Sequence, residues 1–164
     1  MTTPRTATRP SAATSSGETD LLALDRQVCF ALAVASRNVI GLYRPLLEPM
    51  GLTHPQYLVM LALWGEEPLS VTELGRMLDL DAGTLSRLLK RLEAAGLVRR
   101  DRNPEDERSL AVVLTPQGRR LRKRALAVPG TILERLDMDL DDLMVLRDRL
   151  TEVIGSAKAA ALKS

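Results

Sequence analysis

The sequence predicts a mainly α-helical domain with one small β-hairpin, and three observations lead to that fold class. The chain has 164 residues, of which 45% are hydrophobic and 27% are charged, so it can form one domain with its own core. Aromatic residues make up only 2%, and a core of Leu, Val, Ala, Ile and Met mostly favours helices. Two short β-rich runs enclose a charged turn late in the chain, which predicts the hairpin.

Composition also excludes several functions. Cys29 is the only cysteine and His54 the only histidine, so neither an intramolecular disulfide nor a zinc site of ordinary type can form. The longest apolar stretch, residues 57–64, is far shorter than the roughly 20 residues that span a bilayer. The sequence contains no phosphate-binding glycine loop, Ser-His-Asp set or pair of catalytic carboxylates. We therefore expect a protein that is not an enzyme, holds no metal or cofactor and does not enter a membrane.

The N-terminal segment differs in composition from the rest of the chain. It is rich in Thr, Ser, Ala and Pro and contains no apolar block of the secretory type. We expect residues 1–18 to be a disordered tail of a cytoplasmic protein and residues 19–164 to form a single domain. The formal net charge is only +2, but the pI near 9.0 leaves room for a basic face.

The domain begins with a helix that is apolar around much of its circumference. Apolar residues recur every three or four positions from Leu21 to Leu42, and Pro45 is expected to kink or end the helix. A second apolar stripe, which runs from Cys29 to Leu47, lies one step around the helix. The core of one protomer cannot cover both stripes, which indicates a dimer interface.

Capping motifs place the next two helices. Thr53 and Gln56 have the spacing of a capping box and open a helix whose buried run covers residues 57–64. Ser70 and Glu73 have the same spacing and open a helix of about two turns.

After a tight turn, Asp81 caps a further helix that ends near Gly96. The core face of this helix is a leucine stripe: Leu85, Leu88, Leu89 and Leu92. The polar side chains of its first turns are left facing outward.

The hairpin and two more helices complete the domain. Residues 97–102 and 109–114 are the predicted strands, and the charged turn lies between them. Thr115-Pro116 caps the next helix, which carries five cations between positions 119 and 124. Pro129-Gly130 interrupts the helical pattern, and a final helix starts near Asp139, with Asp139 or Asp141 as its cap.

A short helix, a tight turn, a second helix and a hairpin follow one another in the order of a winged helix-turn-helix. In that unit the second helix enters the major groove of DNA, and the hairpin, or wing, contacts phosphates or the minor groove. The candidate DNA-contacting residues are Thr84, Ser86, Arg87 and Lys90 on the second helix, and Arg102, Asp106 and Arg108 in the wing. We expect Asp106 to pair with Arg108 and to orient it. The alternatives are an ordinary exposed helix face and a solvated turn with weak surface ion pairs.

The stretch from Leu74 to Gly118 resembles the MarR family of dimeric winged-helix transcription regulators. Three motifs carry this resemblance: DAGTLSRLLKRLEAAGLVRR from position 81, DER from position 106 and LTPQG from position 114. The runs LDRQVCFALAVASR, LYRPLL and LTHPQYLVMLALW resemble the branch of that family that senses organic hydroperoxides, the OhrR type. With PGTIL near Pro129, the likeness covers about residues 24–133.

The resemblance implies a homodimer that represses a gene by binding an inverted repeat in double-stranded DNA. Its dimerisation helices would cover about residues 20–50 and 119–160, with the winged helix-turn-helix over about residues 53–118. Release from DNA would follow oxidation of a cysteine by organic hydroperoxide, and Cys29 stands at that position. Tyr43 matches a tyrosine whose hydroxyl holds the thiolate. His54 occupies the place of a second tyrosine, and an imidazole can also donate a hydrogen bond to sulfur.

Oxidation of a Cys29 thiolate by a peroxide would give a sulfenic acid, which needs a second thiol to form a disulfide. This chain supplies no second cysteine. We therefore expect a low-molecular-weight thiol of the cell to trap the oxidised form, with overoxidation as the competing fate.

Two alternative functions remain open from the sequence. In the first, the same DNA-binding architecture responds to a small aromatic or amphipathic ligand and Cys29 is inert, since a cysteine in an apolar helix is more often a small buried residue. In the second, Cys29 is the nucleophile of a thiol peroxidase. That enzyme would lack a resolving cysteine, and the DNA-reading unit would have no role.

Overall fold

A computed structural model describes residues 22–102 and 110–163 of the chain. The chain divides into two compact units, one that ends at Arg37 and one that begins at Asn38. A 3₁₀ turn at Leu24–Arg26 precedes helix α1, Val28–Leu47. The predicted helical start at Leu21 lies outside the described residues, and within them the α-helix begins at Val28, later than the apolar period predicted. In the described part of the first unit, residues 22–37, every residue is at least partly exposed.

Helix α1 does not end at Pro45 but continues to Leu47. Proline in the last turn of a helix removes only one backbone hydrogen bond, so the turn can continue past it. A second 3₁₀ turn at Glu48–Met50 follows, and Gly51 ends the segment with a positive φ of 72°. Glycine adopts that conformation without the steric penalty of a Cβ atom.

The predicted capping motifs are confirmed at the next three helices. Helices α2, α3 and α4 cover His54–Gly65, Val71–Leu78 and Ala82–Ala94. At α2, the Thr53 amide donates to Gln56 Oε1 at 2.8 Å. At α3, the Ser70 amide donates to Glu73 Oε2 at 2.7 Å, and the Glu73 amide donates to Ser70 Oγ at 3.1 Å. These bonds satisfy backbone donors that the first turn of a helix leaves unpaired.

The hairpin is confirmed, but it belongs to a sheet of three strands rather than two. Strands β1, β2 and β3 cover Leu69–Ser70, Val98–Arg102 and Leu110–Leu114, and they lie in the antiparallel order β1-β3-β2. Residue Val98 is opposite Leu114, and Leu69 is opposite Val112. The sequence did not predict β1 because two residues show no alternation, and their pairing depends on a strand more than 40 positions away.

The C-terminal part contains one more helix than the sequence predicted. Helices α5, α6 and α7 cover Pro116–Ala125, Val128–Leu136 and Leu140–Ala161. Pro129-Gly130 does interrupt the pattern, but it lies inside the first turn of α6, where proline is tolerated. The predicted cap of the last helix is confirmed, since Asp139 Oδ1 accepts a hydrogen bond from the Asp142 amide at 2.8 Å.

The core of the second unit lies where α2, α3 and α4 pack against the sheet and against α5 and α6. The leucine stripe of α4 is buried as predicted. The fully buried side chains of this core are Leu47, Met60, Leu63, Leu74, Leu85, Leu89, Leu92, Val59 and Val112. The prediction that α2 is buried throughout residues 57–64 is wrong, because Leu58 and Leu61 point away from the core and are 36% and 42% exposed. None of the described helices is both long and apolar enough to cross a bilayer.

Candidate DNA-binding surface and candidate redox residues

Helix α4 presents a polar face opposite its buried leucines. The predicted contact residues Thr84 and Ser86 are partly exposed, and Arg87 and Lys90 are exposed. Leu85 and Leu89 anchor the helix from the other side and are fully buried. This segment therefore forms a helix whose outward face carries hydrogen-bonding and cationic side chains.

A hydrogen-bond chain connects the start of α4 to its second turn. Asp81 Oδ1 accepts from the Thr84 amide at 2.9 Å, and Asp81 Oδ2 accepts from the Thr84 hydroxyl at 2.7 Å. An Arg87 guanidinium nitrogen donates to Thr84 Oγ1 at 3.5 Å. The Thr84 hydroxyl and then the Thr84 amide lower the pKa of the Asp81 carboxyl, because both donate to its charged form. Sequence reasoning identified Asp81 as a helix cap but missed its bond to the Thr84 side chain.

The turn between α3 and α4 brings the two helices together. Asp79 ends α3 with a positive φ of 54°, and its amide donates to the carbonyl of Gly75. A carboxylate oxygen of Asp79 lies 2.8 Å from the Lys158 ammonium nitrogen, so the turn is joined to α7. Helix α3 thus has the brace position that a helix-turn-helix requires.

The described strands of the wing carry three arginines. Arg99 lies 2.7 Å from the Asp101 carboxylate, and Arg100 lies 3.1 Å from that of Glu93. Arg102 is exposed at the end of β2. Asp106 and Arg108, the predicted pair at the tip, lie outside the described residues. Two of these three arginines therefore have a carboxylate partner close by.

The base of the wing is held by polar contacts between α2, β3 and α5. Trp64 Nε1 donates to the Gly118 carbonyl at 2.9 Å. The Glu67 carboxylate accepts from the Leu114 amide and from Arg119 Nε, both at 2.8 Å. Beside these contacts lies an open groove of about 650 Å³, to which Trp64, Glu67 and Arg122 contribute.

Tyr43 and His54, two of the predicted redox residues, are in contact. Their ring centroids are 5.0 Å apart, with the rings edge to face, and Tyr57 lies 6.0 Å from Tyr43. Burial raises the pKa of the Tyr43 hydroxyl and lowers the pKa of His54, because it disfavours the charged form of each group. At neutral pH the pair is therefore an uncharged phenol and an uncharged imidazole, each of which can donate one hydrogen bond.

Cys29, the third predicted redox residue, lies in the first unit, in the first turn of α1. It is a free and exposed cysteine. In the single chain, the Cys29 side chain therefore does not belong to the buried core. Among the described residues, no group of three or more His, Cys, Asp or Glu side chains is placed to hold a metal ion.

Comparison with known families and proteins gives matches over most of the chain. The MarR family model matches residues 52–110. The organic hydroperoxide resistance transcriptional regulator of Bacillus subtilis is 44% identical over 131 residues, which are 80% of this chain and 89% of that protein.

Two solved structures have a similar fold. One is overoxidised AbfR bound to DNA, with a TM-score of 0.66 and 34% identity over 82% of this chain and 94% of that one; AbfR is a protein of Staphylococcus epidermidis. The other is CouR of Rhodococcus jostii bound to p-coumaroyl-CoA, with a TM-score of 0.71 and 27% identity over 80% of this chain and 94% of that one.

Proposed function

Since the chain belongs to the MarR family of DNA-binding transcription regulators, we propose that it is a homodimeric repressor that oxidation of Cys29 releases from an inverted-repeat operator. The oxidant in this proposal is an organic hydroperoxide. The single observation that carries it is that Cys29, on α1, is free and exposed in the single chain, in a chain similar to an organic hydroperoxide resistance regulator. Sensor cysteines need this accessibility, because the peroxide must reach the sulfur.

The outward face of α4 supports the proposed contact with bases in the major groove. Thr84, Ser86 and Arg87 lie in its first turns, where recognition helices reach base edges. Lys90, one turn further, is exposed and suits a phosphate contact. In the wing, we assign phosphate or minor-groove contact to Arg102, and to Arg108 oriented by Asp106.

Apolar side chains that the single chain leaves exposed support the proposed dimer. On α1, Val28 is 67% exposed and Ile40 is 41% exposed; on α7, Val145 and Ile154 are 62% and 52% exposed. Exposed apolar side chains that form a contiguous patch mark an interaction surface, and we propose that these do. A second copy of the chain would bury them, and a two-fold axis would set two copies of α4 at the spacing of an inverted repeat.

We assign to Tyr43 and His54 the role that the family resemblance implies, donation of hydrogen bonds to the sulfur; both are neutral donors held against each other. In the proposed reaction, the Cys29 thiolate attacks the terminal peroxide oxygen, the O–O bond breaks, and the alkoxide takes a proton to leave as an alcohol. The sulfenic acid then reacts with a cellular low-molecular-weight thiol, which forms a mixed disulfide and releases water. The bulky adduct on α1 shifts the dimer away from the conformation that binds DNA.

The test measures DNA affinity of the wild type and of Cys29→Ser, each with and without cumene hydroperoxide and glutathione. We expect treatment to weaken wild-type binding by about 5- to 150-fold, the range of typical allosteric couplings. Cys29→Ser removes the only cysteine, so its affinity should not change. Intact mass spectrometry of the treated wild type should show one thiol adduct per chain.

Equal loss of binding by the wild type and Cys29→Ser would rule out the sulfur as the trigger. Loss of wild-type binding with an unmodified mass would contradict the adduct. His54→Tyr is a matched variant for the second donor, since it replaces one hydrogen-bond donor by another. It should keep the response to peroxide.

A second candidate trigger is a small aromatic or amphipathic ligand. The open groove beside Trp64 and Arg122 favours it, as does the likeness to CouR, which was solved with p-coumaroyl-CoA. A ligand that releases the wild type and Cys29→Ser equally would support this trigger. The thiol peroxidase hypothesis is not retained, because the family and the similar proteins are transcription regulators rather than enzymes.

A further inference from the structure

We propose that Asp81 fixes the polarity of the Thr84 hydroxyl, that is, the direction in which its proton points. The hydroxyl oxygen would then accept a hydrogen bond from an amino group of a base, adenine N6 or cytosine N4, where Thr84 meets the major groove. The inference rests on the proposed function, because it requires α4 to lie in that groove. It assigns Asp81 as a positioning residue for sequence specificity, beyond its role as a helix cap.

Two hydrogen bonds to one carboxylate determine where the hydroxyl proton lies. Asp81 Oδ1 is occupied by the Thr84 amide at 2.9 Å, and Oδ2 lies 2.7 Å from Thr84 Oγ1. An ionised carboxylate only accepts hydrogen bonds, so the single proton of the hydroxyl must point at Oδ2. The carboxyl stays ionised at neutral pH, because the same two bonds lower the pKa of Asp81.

With its proton committed to Asp81, Thr84 Oγ1 offers only lone pairs to other groups. An Arg87 nitrogen lies 3.5 Å from Oγ1 and donates to one of them. The other lone pair can accept from a base. In the major groove, the base donors are adenine N6 and cytosine N4, whereas guanine O6 and N7, thymine O4 and adenine N7 are acceptors. Thr84 Oγ1 therefore favours adenine or cytosine, whose amino groups can donate a hydrogen bond to it. A base acceptor at the same place would face a lone pair of Oγ1 with no proton between the two atoms, which is unfavourable.

The variant Asp81→Asn reverses this polarity while it keeps the cap. The amide oxygen must face the Thr84 backbone N–H, because the amide nitrogen cannot accept from it. The NH₂ group then faces Thr84 Oγ1 and donates to it, so the hydroxyl proton turns outward. Asparagine and aspartate are comparable N-caps, and the helix should form in both proteins.

Two further variants separate the effect of the hydroxyl proton's direction from the effects of a lost carboxylate charge and of the side-chain shape. Glu73→Gln removes an exposed negative charge from the cap of the neighbouring helix α3, where the amide oxygen can still accept from Ser70. It therefore matches the charge change of Asp81→Asn without touching Thr84. Thr84→Val keeps the shape of the side chain and removes the hydroxyl.

The experiment first selects duplexes from a library with a randomised core, using the wild-type chain. In the selected duplex, each adenine is then replaced by purine and each cytosine by 2-pyrimidinone, which lack the amino group. At one position in each half-site, we expect the replacement to weaken wild-type binding by about 3- to 10-fold, the worth of one hydrogen bond. Thr84→Val should be indifferent to the replacement there. Asp81→Asn should prefer guanine or thymine at that position.

Three results would overturn the inference. If wild type and Thr84→Val respond alike at every position, the hydroxyl reads no base, although specific DNA binding still stands. If Asp81→Asn changes affinity by one common factor on all duplexes, as Glu73→Gln is expected to do, Asp81 acts only through charge and capping. If the wild type selects no sequence from the library, the proposed function fails and this inference fails with it.

Discussion

Replacing Gly118 by alanine should destabilise the winged helix-turn-helix, because no space exists for a methyl group at this position. A Cβ atom on Gly118 would lie 2.1 Å from the carbonyl oxygen of Leu97 and 3.3 Å from Leu114 Cδ2. Ordinary contact begins at 3.4 Å, so α5 and the start of the wing would have to separate by about 1.3 Å.

That separation would strain two hydrogen bonds at the same point. The Thr115 amide donates to the Leu97 carbonyl at 3.0 Å, and Trp64 Nε1 donates to the Gly118 carbonyl at 2.9 Å. Overpacking costs about 2 kcal/mol, the middle of its usual range, and the loss of one of these two hydrogen bonds about 1 kcal/mol, so we expect the free energy of unfolding to fall by about 3 kcal/mol. For a chain of this length, that change corresponds to a fall in Tm of about 6–12 °C.

Thermal and urea unfolding followed by circular dichroism, at one fixed protein concentration, would measure this change. Gly155→Ala is the matched control, because the same methyl group would meet nothing within 4 Å inside α7. It should stabilise the chain by about 0.5–1 kcal/mol through helix propensity. Equal Tm values for Gly118→Ala and the wild type would refute the close approach of α5 to Leu97.

Three other predictions concern stability and DNA affinity. Leu89→Ala should lower the free energy of unfolding by about 2–5 kcal/mol in urea titrations, since Leu89 is fully buried; a decrease below about 1 kcal/mol would contradict its place in the core. Lys90→Ala should weaken binding to all duplexes and reduce the log–log salt slope by about 0.9 for each phosphate that Lys90 neutralises; an unchanged slope would exclude a phosphate interaction of Lys90. Burial lowers the pKa of His54, so the unfolded chain binds more protons and stability should fall as the pH drops below about 6.5. His54→Tyr should reduce this fall below about pH 6.5, and equal pH profiles would contradict it.

Local signals in the sequence predicted much of the fold. The caps at Ser70, Asp81 and Thr115 placed three helix starts correctly, because a cap depends on residues only three positions apart. Strand β1 could not be predicted in this way, since its pairing with β3 is set by tertiary packing. The helical path through Pro45 likewise depends on the residues that follow it.

The features of the candidate site likewise fall into those that local sequence patterns predict and those that depend on tertiary structure. The outward position of Arg87 and Lys90 follows from the leucine period of α4, which a sequence displays directly. The contact between Tyr43 and His54 brings two helices together, and only the family resemblance suggested it. The second bond of Asp81, to the Thr84 hydroxyl, depends on a rotamer that sequence patterns do not specify.

The most direct test of the proposed switch follows DNA release and the mass of the chain in one titration with cumene hydroperoxide in the presence of glutathione. Fluorescence anisotropy of the selected duplex reports release, and intact mass reports the fraction of Cys29 that is modified. We predict that the two curves coincide, so that DNA is released in proportion to modified sulfur. Release from chains with unmodified Cys29, or full modification with the DNA still bound at its original affinity, would contradict the proposal.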